Sequence, residues 1–284
     1  MLRVPSEINA KEFESLKMQE TTFIAYRSDV YPAKNEVFFE ENAIIYVLEG
    51  GKKFTSPSQN VHVKKGDVLF VRRGYYLMSE SINEAYRSLV FFFDEKLLKE
   101  FAANSIELFE LDVLKNSISS DSLLIFHTNR RFEKFIETVF PYFQTEKTPY
   151  LNQFLRLKYQ EILLHLLTFD TEHSFKKLLH TVYKGQKTEL HYLMKDYFLK
   201  PLTLDELAKI SGRSLSTFKR DFFTEFGTSP ASWIKTKRLE HASFLLKNST
   251  QNISEISQTI GYESVSHFIK AFKAKYGNTP KRTK

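Results

Sequence analysis

A chain of 284 residues is long enough for two domains, and its hydrophobic fraction of 42% supports folded cores. The absence of cysteine excludes disulfides, thiolate zinc sites and cysteine nucleophiles, and it favours a cytoplasmic location. Residues 1–20 show no secretory leader, and no apolar run has membrane-spanning length, so no membrane partner is expected. Residues 186–284 hold 17 Lys and Arg against 9 Asp and Glu, whereas residues 1–185 hold 24 against 25. A basic block on a neutral body predicts phosphate binding, although a merely basic surface would have the same asymmetry.

Residues 20–93 have the composition of β-strands. Their β-branched and aromatic runs are separated by turn signals at Pro32, Gly50-Gly51, Pro57-Ser58, residues 65–67 and Gly74. Strands are predicted at residues 21–27, 37–39, 44–48, 52–55, 61–63, 68–71 and 86–93. Many short antiparallel strands at this spacing predict a small barrel or a jelly roll.

Two amphipathic helices are predicted after the strands, at residues 130–144 and 151–169. The first carries an apolar stripe of Phe132, Phe135, Ile136, Val139, Phe140 and Phe143. The second carries Leu151, Phe154, Leu155, Tyr159, Ile162, Leu163 and Leu166. Residues 170–188 then turn polar and contain Gly185, so we predict a linker there.

The apolar stripe of the second helix has two interpretations. Most amphipathic helices pack on the core of their own domain. A stripe this rich also fits a contact with the same helix of a second subunit in a two-fold dimer. Arg156 and Lys158 lie off the stripe and are expected in solvent.

An internal repeat occupies the basic region. Residues 204–212, LDELAKISG, match residues 253–261, ISEISQTIG, at an offset of 49. Residues 214–222, SLSTFKRDF, match residues 264–272, SVSHFIKAF, at an offset of 50, which persists through Gly227/Gly277 and Pro230/Pro280. Each copy reads as helix, glycine turn, helix, because glycine suits the left-handed end of a helix. A longer helix at 230–247, capped by Ser229 with Pro230 in its first turn, joins the copies.

The second helix of each copy presents polar residues opposite a pair of phenylalanines. Phe218 and Phe222, like Phe268 and Phe272, are four residues apart and are predicted to pack inward. The outward residues are Ser216, Thr217, Lys219 and Arg220 in the first copy, and Ser266, His267 and Lys270 in the second. Short polar and cationic residues near the start of such a helix are what reading the major groove requires. A single helix-turn-helix pattern is weak support for DNA binding, whereas two copies in register within a basic region are specific.

Residues 187–280 resemble the C-terminal domain of AraC/XylS-type transcription activators. The matching residues are 204–208, Gly212, Phe218, Phe222, Phe226-Gly227, Ser229-Pro230, Trp233-Ile234, Arg238-Leu239, Ala242, Leu245-Leu246, 253–256, 260–262, Phe268, Phe272, Tyr276-Gly277 and Thr279-Pro280. The resemblance implies seven helices, with both recognition helices in successive major grooves on one face of the DNA. After Pro280 the family adds an aromatic and a basic residue in a last helix. The ending KRTK has no aromatic residue, so the sequence does not predict that last helix.

The strand-rich part resembles the cupin-like N-terminal domain of such regulators, on residues 46–50 and 65–74. In that family the helices after the barrel commonly form the dimer contact. Residues 68–75 are also similar to the type III secretion activators, which a protein partner controls. A metal-binding cupin needs several converging ligands, but His62 stands alone and residues 75–78 contain no histidine. We therefore reject a metal enzyme and expect no cofactor.

Together these patterns predict an α+β protein of two domains. Residues 1–169 are a cupin-like β-barrel with two helices for sensing or dimerisation, 170–188 a linker, and 189–284 an all-α domain with two helix-turn-helix units. The predicted function is sequence-specific transcription activation in the bacterial cytoplasm, on the nucleoid when bound. The expected partners are promoter DNA, RNA polymerase and a second copy, with the effector left open between a small molecule and a protein. The competing classes are a cupin-type enzyme, which a stoichiometric metal would revive, and an interaction protein, which would not bind duplex DNA.

Overall fold

The computed structural model of the chain describes residues 1–8, 14–17, 21–27, 34–80, 85–108, 121–144 and 148–284. The chain divides into two compact units, Met1–Gln186 and Lys187–Lys284.

The N-terminal unit contains two β-sheets. Over the described residues their strands are β1 (Leu2–Val4), β2 (Glu14–Lys17), β3 (Thr21–Arg27), β4 (Lys34–Phe39), β5 (Asn42–Glu49), β6 (Gly51–Thr55), β7 (Asn60–Lys64), β8 (Asp67–Val71), β9 (Gly74–Glu80), β10 (Arg87–Phe93) and β11 (Leu123–His127). One sheet has the order β1-β4-β9-β6-β7 and the other β11-β8-β5-β10-β3-β2. All pairs are antiparallel except β1 with β4.

The two sheets form an open sandwich, so the strand-rich domain is confirmed but its predicted barrel is not closed. Closure requires the edge strands to pair with one another around the ring. Among the described residues no hydrogen-bonded ladder joins the two sheets, and β1, β7, β11 and β2 are edges. Because side chains alternate between the two faces of a strand, two packed sheets can bury the apolar residues without closing into a barrel. On β10, Val90 and Phe92 pack between the sheets, whereas Leu89, Phe91 and Phe93 face the opposite side.

Helices cover that opposite side of the six-stranded sheet. They are α1 (Glu95–Asn104), α2 (Arg130–Glu137), α3 (Pro141–Gln144), α4 (Leu151–Phe169) and α5 (Ser174–Tyr183), with a 3-10 turn at Ile106–Leu108. The bounds predicted for α4 are confirmed. The predicted helix 130–144 is instead two helices, because Pro141 has no N–H to continue the first. Strands β1, β2, β9 and β11 and helix α1 were not predicted.

Helix α5 occupies most of the predicted linker, so the linker prediction 170–188 is wrong. Phe175, Leu178, Leu179 and Val182 lie on one face of α5 and are buried in the same core as α4. The Asp170 carboxylate accepts the N–H groups of Phe175 and Lys176 at 3.1 and 2.9 Å. The polar residues that resembled a linker therefore cap a core helix.

Six of the seven residues of the predicted α4 stripe are buried in that core: Leu151, Leu155, Tyr159, Ile162, Leu163 and Leu166. Only Phe154 is exposed. The interpretation that the stripe packs on its own domain is therefore confirmed for those six residues.

The C-terminal unit, which is described in full, consists of seven helices, as the resemblance implied. They are α6 (Leu190–Tyr197), α7 (Leu204–Ile210), α8 (Leu215–Phe226), α9 (Pro230–Asn248), α10 (Ile253–Thr259), α11 (Val265–Tyr276) and α12 (Pro280–Thr283). The last helix, α12, was not predicted from the ending KRTK. It forms nevertheless, with Pro280 buried in its first turn. Two small cores lie along α9, one with α6, α7 and α8, the other with α10 and α11.

Candidate DNA-binding surface

The first helix-turn-helix unit is α7 and α8. Thr203 and Glu206 form a reciprocal capping box at the start of α7, with hydrogen bonds of 3.2 and 2.7 Å. Gly212 makes the turn with φ of +73°. The Ser214 hydroxyl accepts the Thr217 N–H at 3.3 Å and starts α8. The sequence thus fixes the start of both helices locally.

The second unit, α10 and α11, repeats these devices with different residues. Asn252 and Glu255 form the capping box, with bonds of 2.9 and 2.7 Å. Gly261 turns the chain with φ of +75°, and Ser264 accepts the His267 N–H at 3.4 Å. A side chain at Gly261 would place its Cβ 2.4 Å from the Leu199 carbonyl oxygen, so this position requires glycine.

The predicted reading residues lie on the solvent side of their helices. Phe218 and Phe222 of α8, and Phe268 and Phe272 of α11, are fully buried. On the other side, Ser216, Lys219, Arg220, Ser266, His267 and Lys270 are exposed, and Thr217 is half-buried. Each recognition helix therefore presents its predicted residues together on one accessible surface.

The hydroxyls of Ser216 and Thr217 are engaged with the helix cap. The Ser214 oxygen lies 3.1 Å from the Ser216 hydroxyl and 2.9 Å from that of Thr217. The Ser216 hydroxyl must turn away from Ser214, or share its hydrogen bond, to meet a base edge, whereas Thr217 accepts from the Ser214 hydroxyl and can donate from its present position.

Asp221 collects three cations beside the reading surface. Its carboxylate accepts from Arg213 Nε at 3.1 Å and from Arg220 at 3.2 Å, and Lys187 Nζ lies 3.6 Å away. The hydrogen bond from Arg213, followed by that from Arg220, holds the pKa of Asp221 below its ordinary value. Asp221 therefore stays charged and restrains the Arg220 side chain, which is otherwise exposed.

Three further lysines of this domain are exposed, namely Lys235 and Lys237 on α9 and Lys273 on α11. Lys237 donates to Glu240 at 3.0 Å, and Glu240 also accepts from Lys275 at 3.2 Å. These hydrogen bonds, that from Lys237 first, lower the pKa of Glu240. The Glu240 carboxylate thereby joins α9 to α11.

Arg238, in the middle of α9, ties the segment between α6 and α7 to the turn of the second helix-turn-helix unit. Its guanidinium donates to the carbonyls of Phe198, Lys200 and Gly261 at 2.7, 2.5 and 2.8 Å. Burial lowers the pKa of Arg238 from its very high ordinary value. One charged group thus links the end of α6 to the turn of the second unit.

Two family models match most of the chain. The ExsA N-terminal regulatory domain matches residues 42–178, and a helix-turn-helix domain matches residues 207–284. The virulence regulon transcriptional activator VirF of Yersinia enterocolitica is 25% identical over 89% of this chain and 92% of its own length. The transcriptional regulator ExsA of Pseudomonas aeruginosa is 25% identical over 86% of both chains.

The chain belongs to the AraC/XylS family. It is a DNA-binding transcription regulator with an N-terminal regulatory domain and a C-terminal helix-turn-helix domain. A solved structure of ToxT from Vibrio cholerae is similar over 93% of this chain and 97% of that chain, with 12% identity and a TM-score of 0.41.

One exposed residue of this AraC/XylS-type regulator was not predicted from its sequence. Phe223 on α8 is 60% exposed, although its neighbour Phe222 is fully buried. Phe223 follows Ser216 by seven residues, which places both on one face of a helix. This spacing could have placed Phe223 on the exposed face. An apolar residue beside two core phenylalanines is, however, ordinarily interpreted as a core residue.

Other kinds of site lack support in the described part of the regulator. No three His, Asp or Glu side chains converge there as a metal site would require. No helix among the described residues combines the length and apolar character needed to cross a bilayer.

Proposed function

We propose that this regulator activates transcription by inserting α8 and α11 into successive major grooves on one face of promoter DNA. The observation that carries the proposal is the pair of separately capped helix-turn-helix units joined by α9. They lie in the part of the chain with 17 Lys and Arg against 9 Asp and Glu. The major groove admits one α-helix, and a positive domain gains affinity by releasing counterions from phosphates.

The exposed residues of the two helices divide by chemistry. Lys219, Arg220 and Lys270 contact bases or adjacent phosphates, and Arg220 is suited to bidentate bonds with guanine. Ser216, Thr217, Ser266 and His267 contact base edges. Lys235, Lys237 and Lys273 contact phosphates, which position the domain without reading sequence.

The N-terminal unit regulates through its surface in this proposal. The cavity between its sheets has a volume of about 50 Å³ and is lined mostly by apolar side chains, together with Asn35, Lys52 and Ser88. Ligand pockets ordinarily have about 300–1,000 Å³. This difference favours a protein partner or a second copy over a small-molecule effector.

A second copy is the partner that the outer face of α4 fits. Tyr150, just before α4, and Phe154, Leu157 and Leu164 on it are 43% to 68% exposed. Their spacing of four, three and seven residues puts them in one stripe along the helix. A contiguous exposed apolar patch of this kind marks a protein contact, and a two-fold axis lets the same stripe serve both subunits.

Activation requires contact with RNA polymerase at the promoter. One relative supports this step, because VirF is named a virulence regulon transcriptional activator. We propose that this chain also activates transcription, and that it contacts RNA polymerase while it is bound to the promoter.

Selection of binding sites from genomic fragments tests the proposal. The full chain should enrich a discrete set of promoter sequences, and DNase I footprints on them should cover two adjacent major grooves. Transcription in vitro with bacterial RNA polymerase should rise from those promoters when the chain is added. Enrichment of random fragments would contradict specific binding, and a footprint without increased transcript would contradict activation.

A further inference from the structure

We propose that Phe223 reads thymine methyl groups in the half of the binding site occupied by the first helix-turn-helix unit. The inference deepens the proposed function and rests on the insertion of α8 into the major groove. Phe223 thereby joins Lys219 and Arg220 as a residue that determines sequence specificity.

The position of Phe223 on α8 carries the argument. Residues three, four and seven positions apart share a helix face, so Ser216, Lys219, Arg220 and Phe223 form one stripe. The stripe lies opposite the buried pair Phe218 and Phe222. In the fully described unit 187–284, Phe223 lies outside both apolar cores. Its ring therefore points where the DNA-reading residues point.

The internal repeat shows that the fold does not require an apolar residue here. At the offset of 50 residues, the counterpart of Phe223 in the second unit is Lys273, which is exposed. Isolated exposed apolar residues are common and need no explanation by themselves. Phe223 differs because Lys219 and Arg220 precede it on the same face and draw that face toward a polyanion.

Thymine supplies the matching chemistry. Its C5-methyl group projects into the major groove, and apolar side chains including Phe contact it there. Burying one such group against the ring is worth about a fourfold change in affinity. The phosphate backbone offers the ring no comparable apolar partner.

The test replaces thymine by deoxyuridine, which removes the methyl group and keeps base pairing. The duplex is a promoter site obtained by the selection proposed above. The half of this site bound by the first helix-turn-helix unit is defined as the base pairs that lose DNase I protection in the Arg220→Ala variant. Binding of the full chain is measured by fluorescence anisotropy after each replacement. The wild type should lose about fourfold at one or two thymines. Phe223→Ala should start weaker by a similar factor and be insensitive at those same thymines.

Phe244→Ala is the matched control, because Phe244 is 58% exposed but lies on α9 outside the recognition helices. It should keep the wild-type sensitivity to deoxyuridine. If Phe223→Ala fails to fold by circular dichroism, Phe223→Lys takes its place, since lysine stands at this position in the second unit.

Two results would overturn the inference. One is that the Phe223 variant remains as sensitive as wild type at every thymine. The other is a selected first-unit half-site that contains no thymine. Both leave the proposed function intact if Arg220→Ala still weakens binding. If Arg220→Ala has no effect and wild type binds selected and random duplexes equally, insertion of α8 itself is wrong, and the inference with it.

Discussion

The Arg238 guanidinium satisfies three backbone carbonyls from two stretches of the chain that are far apart in sequence. The carbonyls of Phe198 and Lys200 lie between α6 and α7, and the carbonyl of Gly261 lies in the turn of the second helix-turn-helix unit. Carbonyls that lose a buried donor retain their desolvation cost. Arg238 therefore stabilises the arrangement of the whole C-terminal unit.

Replacing Arg238 tests this role. Arg238→Met should lower the free energy of unfolding of the C-terminal unit by about 3 kcal/mol. The readout is urea denaturation followed by Trp233 fluorescence, because Trp233 is the sole tryptophan and packs against Phe222 and Phe226 in this unit. Lys235→Met, on an exposed position of the same helix, should stay within about 0.5 kcal/mol of wild type. Equal stabilities of the two variants would contradict the role.

The two recognition helices should be separable by mutation. Arg220→Ala and Lys270→Ala should each cost about 1–3 kcal/mol of binding free energy and relax specificity at one position. Their footprints should lose protection at positions roughly one helical turn apart. Lys247→Ala, an exposed lysine near the end of α9, serves as the control for charge alone. Loss of protection over the same base pairs by both variants would rule out the two-groove arrangement.

The carboxylate of Asp221 gives a pH-dependent prediction. Its pKa is lowered in the folded unit, chiefly by Arg213. Its contribution to stability is therefore present above the unfolded pKa of about 3.9 and is lost as pH falls through the lower folded value. Asp221→Asn should unfold at less urea than wild type at pH 7, and the midpoints, read from Trp233 fluorescence, should converge as the pH falls below the lowered pKa of Asp221. A gap that persists in acid would show that the ion pairs are not its cause.

The sequence predicted the exposed residues of the candidate DNA-binding surface, but not the residues that hold them in place. The repeat places Lys219, Arg220 and Lys270 opposite buried phenylalanines, because helix periodicity determines faces. It does not reveal that Lys187 and Arg213 meet Asp221, since those partners come from outside α8. Phe223 was missed because hydrophobicity alone does not distinguish a core residue from a reading residue.

At the scale of elements, α4 has two apolar faces with different roles. Leu155 is fully buried in the core, whereas Leu157 is 60% exposed on the outer stripe. Leu157→Asp should remain folded and become monomeric, because it places a charge in the proposed dimer contact. Sedimentation velocity gives the oligomeric state, and circular dichroism the fold.

Leu155→Asp is the matched variant on the inner face of α4. It should unfold the N-terminal unit, since a lone carboxylate would be buried without a partner. A Leu157→Asp variant that stays folded and as associated as wild type would exclude the outer stripe as the dimer contact.

Periodicity predicted α4 completely and α5 not at all. Both helices carry apolar residues at helical spacing, but α5 is only Ser174–Tyr183 and has His173, Lys176 and Lys177 at its start. A short helix gives periodicity few repeats, and its polar flanks resemble a linker. The same limit applies to α1, whose cap, Asp94, directly follows a strand.

At the scale of the whole molecule, the concentration of positive charge in one unit predicts salt-sensitive binding. If about six phosphates are contacted, the logarithm of affinity should fall against the logarithm of salt with a slope of about −5. Anisotropy titrations on the selected duplex from low to moderate salt give the slope. Lys273→Ala should reduce its magnitude by about one, and a flat dependence would argue against phosphate contacts altogether.

Strand pairing is the large-scale property that sequence reasoning missed. The continuous apolar run of β10 is typical of a strand buried on both faces, but it does not tell whether the last strand of a sheet pairs with the first. That choice depends on contacts between distant strands, such as β11 with β8 and β1 with β4. An open sandwich and a barrel share the same local pattern.

The Arg238 links have a consequence for the DNA. In the proposed two-groove arrangement the C-terminal unit holds its two helix-turn-helix units at a fixed separation, so any mismatch with the groove spacing would have to be absorbed by the double helix. Bending a site costs about 1–6 kcal/mol, depending on the steps being bent. On that arrangement the base pairs between the two half-sites would enter recognition through their flexibility, and we expect pyrimidine–purine steps there to favour binding without touching a side chain.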